Sequence, residues 1–239
     1  MTQAPQEDSY ERAMVVFAHP DDAEFGCSGT VAHWALHGME VVYVQCTDGS
    51  KGTSDRNITS EELVEIRRQE QVAAARVLGV KEVVFLNYPD AYLQPTLELR
   101  RDIARQIRIH RPDIVICQNP VRTFSGDRGV GHPDHLAAGE ATLSAVYPTA
   151  RDHLTFPEML AEGLEPHKVK ELFIMMGGEP DRWVDVSDSI DTAIEAIKQH
   201  KSQIGDRDVG QRVREGRRRI GEPHGFAYGE GFKRIRFGF

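Results

Sequence analysis

Two short clusters of histidine and aspartate contain the residue types that could do chemistry in this chain. The first, His19-Pro20-Asp21-Asp22-Ala23-Glu24, comes directly after the apolar run 14–17. The second, Gly131-His132-Pro133-Asp134-His135, comes much later in the sequence. Imidazole nitrogens and carboxylate oxygens are ligands that zinc takes in proteins, and a spare carboxylate can transfer protons. The two clusters together predict a metal site with acid–base groups beside it, whereas an isolated Asp-Asp pair is more typical of a solvated turn.

The elements that would position these clusters alternate between strand and helix. Apolar, β-branched runs predict buried parallel strands at 13–17, 41–46, 83–86 and 114–117. Capping residues and apolar periodicity predict four helices between and after these strands. The first covers 27–37, the second begins with the capping pair Thr59 and Glu62, the third buries Leu99, Ile103 and Ile107, and the fourth begins near Asp134. This alternation predicts an α/β fold with an open, mostly parallel sheet and helices on both faces.

The ends of the chain are less regular than its middle. Two further strands are predicted at 171–176 and 183–186, followed by a helix that Ser187 would cap. Residues 1–12 are expected to be a flexible segment, and the charged, glycine-punctuated stretch 205–239 is expected to be irregular. The length of 239 residues is within reach of one large domain, so we interpret 1–239 as a single unit.

Polar residues follow each of the first four predicted strands. Besides the first cluster, these are Thr47-Asp48-Gly49, Asn87-Tyr88-Pro89-Asp90 and Gln118-Asn119-Pro120. Ligands of open parallel sheets bind beyond the carboxyl ends of the strands, so these groups are predicted to meet at one edge. A dinucleotide site is disfavoured there, because the first turn lacks the G-x-G-x-x-G pattern.

The composition narrows the partners and the compartment. A net charge of −8 argues against a nucleic-acid partner, although 212–219 is a basic run that we interpret as solvated or subunit-facing. The sequence has no apolar run of membrane length and no secretory layout at its start, which predicts a cytoplasmic protein with no membrane insertion. The separated residues Cys27, Cys46 and Cys117 are typical of buried, reduced thiols.

The two clusters resemble the motifs of the LmbE/PIG-L family of zinc-dependent N-acetylglucosaminyl deacetylases. His-Pro-Asp-Asp-x-Glu at 19–24 and His-Pro-Asp-His at 132–135 carry the resemblance. Weaker matches are Thr47-Asp48-Gly49, Arg67-x-x-Glu70 and His200-Lys201-Ser202-Gln203. The resemblance extends over almost the whole chain and is weaker after about residue 150.

The resemblance implies a Rossmann-like fold and assigns roles to the clustered residues. His19, Asp22 and His135 would bind one zinc ion, and Asp21 would be the general base. His132 and Asp134 would assist proton transfer, with the carboxylate of Asp134 accepting from the ring of His132. Two histidines and a carboxylate also suit Fe²⁺, so the metal stays open. Relatives of this family commonly form trimers or hexamers, which makes a homo-oligomer the expectation.

The function that follows is removal of an N-acetyl group from an amino sugar or its conjugate. Two alternatives remain: an amidase that cleaves a larger thiol-sugar conjugate, and a non-catalytic sugar-binding scaffold. Some relatives carry a tyrosine where this chain has Val130. Either zinc and His132 suffice to polarise the acetyl carbonyl, or another donor such as Tyr88 or Tyr92 reaches it.

Four further polar residues are predicted to bind substrate. Glu24 could bind a sugar hydroxyl or cap a turn, and Asp48 could contact His19 or solvent. Arg67 could hold a hydroxyl or an anion, or pair with Glu70 within its helix. The fourth substrate residue is Asp90.

A second histidine pair, His33 and His37, has the spacing of metal ligands on a helix. We interpret this pair as structural, because no carboxylate joins it in the sequence and it lies far from the predicted site. His200 is expected near the rim of the pocket.

Overall fold

A computed structural model describes residues 10–122, 130–177 and 179–238 of the chain. The described strands form one sheet in the order β3-β2-β1-β4-β5-β7-β6. Their bounds are β1 Arg12–Phe17, β2 Glu40–Thr47, β3 Glu82–Tyr88, β4 Ile114–Gln118, β5 Glu171–Met175, β6 Arg182–Asp185 and β7 Gly229–Arg236. The first five strands pair in parallel, and β7 pairs antiparallel with both β5 and β6.

Helices connect the strands and cover the sheet. They are α1 Asp22–Leu36, α2 Ser60–Leu78, α3 Leu97–His110, α4 Pro133–Val146, α5 Pro157–Ala161, α6 Ile190–Ile197, α7 Lys201–Ile204 and α8 Gly210–Gly221. Short 3₁₀ turns follow α4 and α8, at Thr149–Arg151 and Glu222–His224. None of the helices in the described part of the chain is long and apolar enough to cross a membrane.

The sheet is buried on both faces, as its β-branched strands predict. Successive side chains of a strand point to opposite faces. Met14 and Val16 of β1 therefore join the core beneath α3 and α4, whereas Val15 and Phe17 join the core beneath α1 and α2. The predicted α/β class, with helices on both faces of a mostly parallel sheet, is confirmed.

The prediction that residues 205–239 are irregular is wrong for most of that segment. Residues 210–221 form α8, and 229–236 form β7, which lies between β5 and β6 in the sheet. At the other end, Arg12 already begins β1, while residues 1–9 of the predicted flexible segment lie outside the described residues.

Two predicted helix starts differ from the structure. Helix α1 begins at Asp22 rather than at residue 27, and Cys27 is a non-helical position within it, with φ −152°. Helix α6 begins at Ile190, after Ser189, whereas the hydroxyl and N–H of Ser187 bind Asp185. Ser187 therefore holds the end of β6 instead of capping the helix. The capping box of Thr59 and Glu62 is confirmed at α2.

Candidate active site

The first cluster forms the tight turn between β1 and α1. The backbone of Asp21 adopts the left-handed conformation, with φ 87°, immediately before the first residue of α1. The backbone N–H of His19 donates to Oδ2 of Asp22 at 2.7 Å, which fixes that carboxylate beside the end of the strand. The turn thus directs an imidazole and a carboxylate toward the same point at the carboxyl edge of the sheet.

Helix α4 brings His135 to that point. Nδ1 of His19 and Nε2 of His135 are 3.2 Å apart. The Asp22 carboxylate lies 3.4 Å from the first nitrogen and 3.1 Å from the second. A tetrahedral zinc ion with bonds of about 2.0–2.2 Å separates its ligand atoms by roughly 3.3–3.6 Å. Oδ2 of Asp22 is the oxygen near His19 and Oδ1 is the oxygen near His135. The two nitrogens and this carboxylate therefore have the donor types of three zinc ligands and lie within reach of one ion.

The other nitrogen of His19 faces two carboxylates. Nε2 lies 3.1 Å from Oδ2 of Asp134 and 3.1 Å from Oδ1 of Asp90. Asp134 is fully buried, and the same Oδ2 also accepts the N–H of Ala91 at 2.8 Å. A carboxylate on the far nitrogen of a metal-binding histidine fixes its tautomer and orientation. Asp90 and Asp134 are therefore placed to orient His19 with Nδ1 free to bind a metal.

The carboxylates around His19 create a strong preference for positive charge. Burial alone would lower the pKa of His19, but hydrogen bonds to Asp134, Asp22 and Asp90 outweigh it and raise that pKa to about 12. Burial likewise opposes ionisation of Asp22, yet its bonds to His135 and His19 hold its pKa well below the usual range. A divalent cation would satisfy the same excess of negative charge.

Asp21 stands beside this group without sharing its hydrogen bonds. Burial raises the pKa of Asp21 to about 8, and the nearby charges of Asp22 and Glu24 add to the effect. A carboxylate with such a pKa is a stronger base than an ordinary aspartate at neutral pH. The two adjacent carboxylates therefore differ: burial raises the pKa of Asp21, whereas bonds to His135 and His19 lower that of Asp22.

His132 is exposed and stands before the first residue of α4. Its ring lies 4.6 Å from the ring of His19, centroid to centroid, in an edge-to-face arrangement. Burial and the neighbouring rings of His19 and His135 lower its pKa. An imidazole at the open side of the cluster could exchange protons with a bound molecule.

The expected bond from the His132 ring to the Asp134 carboxylate is not formed. Nδ1 of His132 instead accepts the backbone N–H of Asp134 at 3.2 Å, which makes His132 the N-cap of α4. The carboxylate points into the protein toward His19 and Ala91. The expectation that the Asp134 carboxylate accepts from the ring of His132 is therefore wrong, because Nε2 of His19 and the N–H of Ala91 hold that carboxylate elsewhere.

Two predicted substrate residues organise the loop after β2 instead. Oδ1 of Asp48 accepts the N–H groups of Ser50 and Asp90. Nη1 of Arg67 donates to the carbonyls of Gly49 at 2.7 Å and Lys51 at 2.5 Å. Neither side chain makes the alternative contact that the sequence suggested, to His19 or to Glu70 respectively. Their positions leave the substrate roles of Asp48 and Arg67 as predictions.

Glu24 is fully buried and does not face an open pocket. Its Oε1 accepts from Nε2 of Gln71 at 3.0 Å, and its Oε2 lies 3.1 Å from Nε2 of His200. Oε1 of Gln71 in turn accepts the backbone N–H of Asp21 at 3.2 Å. Glu24 and His200 therefore support the turn from inside, and Glu24 is not placed to contact a sugar hydroxyl.

Gln71 is the site residue that the sequence reasoning missed. The apolar side chains of Ile66 and Val77 in α2 are exposed, whereas the polar side chains of Arg67 and Gln71 are buried. Arg67 and Gln71 are one turn apart, in line with buried Leu63. A polar pair continuing an apolar stripe was the signal that could have found Gln71.

The fold and this cluster define a class: a doubly wound α/β protein with two histidines and a carboxylate suited to a divalent ion. Comparison with known families identifies it further. The chain belongs to the PIG-L family, because the family described as GlcNAc-PI de-N-acetylase matches residues 14–146. The resemblance seen in the sequence is thereby confirmed.

Named relatives agree with this membership. The chain is 33% identical to the diacetylchitobiose deacetylase of Thermococcus kodakarensis over 81% of its own length and 70% of that protein's. It is 29% identical to a probable N-acetyl-alpha-D-glucosaminyl L-malate deacetylase 2 of Bacillus anthracis, covering 80% of each. The structure of N,N'-diacetylchitobiose deacetylase from Pyrococcus horikoshii superposes with a TM-score of 0.87 at 31% identity, over 95% of this chain and 85% of that one. These relatives mark the chain as an amide-hydrolysing enzyme.

Proposed function

We propose that this protein removes the N-acetyl group from an N-acetylglucosamine-type sugar or glycoconjugate, using one divalent ion bound by His19, Asp22 and His135. The observation that carries the proposal is the convergence of the two imidazole nitrogens, 3.2 Å apart, and the Asp22 carboxylate, whose oxygens lie 3.4 Å from the first nitrogen and 3.1 Å from the second. The named activities of the relatives, on diacetylchitobiose and on an N-acetylglucosaminyl malate, support the substrate class.

The chain's own residues supply the proton transfers. A zinc ion in such a site lowers the pKa of water to about 7 and polarises a carbonyl oxygen. Asp21 would accept the proton of the water that attacks the acetamide carbon, because its carboxylate adjoins the proposed ligand Asp22 and takes no part in the hydrogen bonds around His19. His132 would take up the proton that Asp21 accepts, or one from solvent, and pass it to the departing amine from the exposed side, because its lowered pKa leaves the ring mainly neutral at pH 7. Asp90 and Asp134 keep His19 in the required orientation.

Zinc is proposed as the ion, with Fe²⁺ as the alternative that the same donor set accepts.

We propose a cytoplasmic location, supported by three free, buried cysteines that suit a reducing compartment. A homo-oligomer, trimeric or hexameric, is proposed as well. Exposed apolar side chains such as Leu97, Val130 and Leu154 are available to an interface between copies. Light scattering on the purified protein would give the number of subunits in the oligomer.

The test is release of free amine from N-acetylated sugars. Purified protein, stripped with a chelator and reloaded with Zn²⁺ or Fe²⁺, is incubated with N,N'-diacetylchitobiose and with N-acetylglucosaminyl conjugates. We expect amine and acetate from at least one of them, with activity lost on chelation and restored by the metal. Release of amine only from substrates with larger acyl groups would favour the amidase alternative, and binding without release would favour the scaffold.

Variants assign the roles. Asp21→Asn is expected to retain the metal and lose most of its turnover, whereas His135→Ala is expected to lose the metal. Glu82→Gln serves as the control, because Glu82 is an exposed carboxylate at the first residue of β3, at the opposite edge of the sheet from the cluster. Wild-type turnover in Asp21→Asn would remove Asp21 from the role of base.

A further inference from the structure

We propose that His33, His37 and Asp188 form a second binding site for a divalent transition-metal ion, with zinc as the expected ion. The two histidines lie one turn apart at the end of α1 that is remote from Asp22. The aspartate comes from the segment between β6 and α6. One potential ligand atom from each of the three lies within 4.8 Å of the others.

The carboxylate that the sequence reasoning found missing is supplied from far along the chain. Nδ1 of His33 lies 2.9 Å and 3.0 Å from the two carboxylate oxygens of Asp188, 155 residues later. A carboxylate therefore does join the histidine pair, contrary to the expectation from the sequence. The fold packs α6 against α1, so Asp188 in the segment before α6 reaches the histidine pair.

The hydrogen bonds of the two rings define which nitrogens are free. Nδ1 of His37 lies 2.8 Å from the carbonyl oxygen of His33, and a carbonyl can only accept. The ionised carboxylate of Asp188 likewise can only accept from Nδ1 of His33. In their neutral forms both rings therefore carry their proton on Nδ1 and expose an unshared pair on Nε2.

This arrangement is that of a prepared pair of metal ligands. Two histidines four residues apart on a helix bind zinc through one face, and a carboxylate or backbone carbonyl on the far nitrogen orients each ring. The ring centroids are 4.3 Å apart, so the rings already share one side of the helix. The exposed fractions of 29% for the His33 side chain and 42% for that of Asp188 leave room for entry and for small rotations.

The proposed ion would act on stability rather than on the hydrolytic step. It would bind the last turn of α1, the helix whose first residue is Asp22, and reinforce the bond to Asp188. Anything that binds only the folded state raises its stability by mass action. The second ion should therefore raise the unfolding temperature progressively as the free Zn²⁺ concentration exceeds the dissociation constant of the site.

The experiment is a Zn²⁺ titration of chelator-stripped, full-length protein, read by bound metal and by thermal unfolding. Wild type is expected to bind two ions per chain, and His33→Ala or His37→Ala only one. Asp188→Asn should weaken the second site by about 10–100-fold, as loss of an orienting carboxylate does. His153→Ala, an exposed histidine elsewhere, is the matched control and should keep both ions.

The active-site variant separates the two centres. His135→Ala should lose one ion and retain the rise in unfolding temperature that the second ion produces, while His37→Ala should lose that rise. Equal numbers of bound ions in wild type and in His37→Ala would overturn the proposal. So would an unfolding temperature that depends on Zn²⁺ equally in wild type and in His37→Ala.

Discussion

Nε2 of His200 and Oε2 of Glu24 lie 3.1 Å apart, and both side chains are completely buried. The pair is the inner end of a hydrogen-bonded series that continues through Gln71 to the backbone N–H of Asp21. Asp21 is in the left-handed conformation, which costs a residue with a side chain roughly 1–2 kcal/mol. The series therefore stabilises an unfavourable turn that places the proposed base.

Gln71→Met tests the outer part of this series. The substitution keeps the volume and removes both hydrogen bonds, so the Asp21 turn should relax. We expect kcat to fall about tenfold, which corresponds to about 1.4 kcal/mol, with KM and metal content little changed. Gln69→Met, at an exposed position of the same helix, should behave as wild type. An unchanged kcat in Gln71→Met would show that the turn holds without its support.

His200→Ala tests the inner end. It leaves a buried carboxylate without one partner, and we expect the free energy of unfolding to fall by about 3 kcal/mol. The double variant His200→Ala, Glu24→Gln should recover part of that loss, because no buried charge then lacks a partner. Urea unfolding measures both values. Equal stabilities of the single and double variants would contradict this account of the pair.

The prediction for Asp134 separates two roles. If its carboxylate orients His19, Asp134→Asn should lower zinc affinity by about 10–100-fold, measured by competition with a chromophoric chelator. His132→Ala should instead keep the affinity and lower kcat. Should Asp134→Asn bind zinc as tightly as wild type and lose only turnover, the sequence-based role in proton transfer would be the better one.

Local features of the sequence predicted the sheet and both clusters. Apolar runs such as residues 41–44 favour buried strands wherever they occur. Proline and aspartate favour turns, which is why the His-Pro-Asp motifs mark the ends of strands and helices. The pairing of β7 between β5 and β6, and of Asp188 with His33, depends on contacts between distant segments. No local pattern contains that information, which is why these features were missed.

Asp113 should make stability depend on pH. Its carboxylate accepts the N–H groups of Glu11 and Arg12 and lies 2.8 Å from Nζ of Lys170. Burial alone would raise its pKa, but Lys170 and the two N–H groups outweigh burial and lower it. A lowered pKa in the folded state stabilises the protein above the ordinary aspartate range, and this contribution is lost as the pH falls through the folded pKa.

Asp113→Asn should therefore be less stable than wild type by about 1–2 kcal/mol at pH 7, and the difference should shrink below about pH 4. Urea unfolding at several pH values measures the difference, with Asp206→Asn as an exposed control. A difference that stays constant down to pH 3 would mean that the Asp113 charge contributes nothing.

Two helical glycines should respond oppositely to alanine. A Cβ on Gly139 of α4 would lie 2.4 Å from the carbonyl oxygen of Gln118 at the end of β4, whereas one on Gly216 of α8 would meet nothing within 4 Å. Alanine in an open helical position gains about 0.5–1 kcal/mol over glycine, so Gly216→Ala should raise the free energy of unfolding. Gly139→Ala should lower it, because helix and strand backbones must separate. Helix α4 also carries Asp134 and His135, so that separation should weaken zinc binding as well. A Gly139→Ala protein with wild-type stability and wild-type zinc affinity would show that the site assembles without the close approach of α4 to β4.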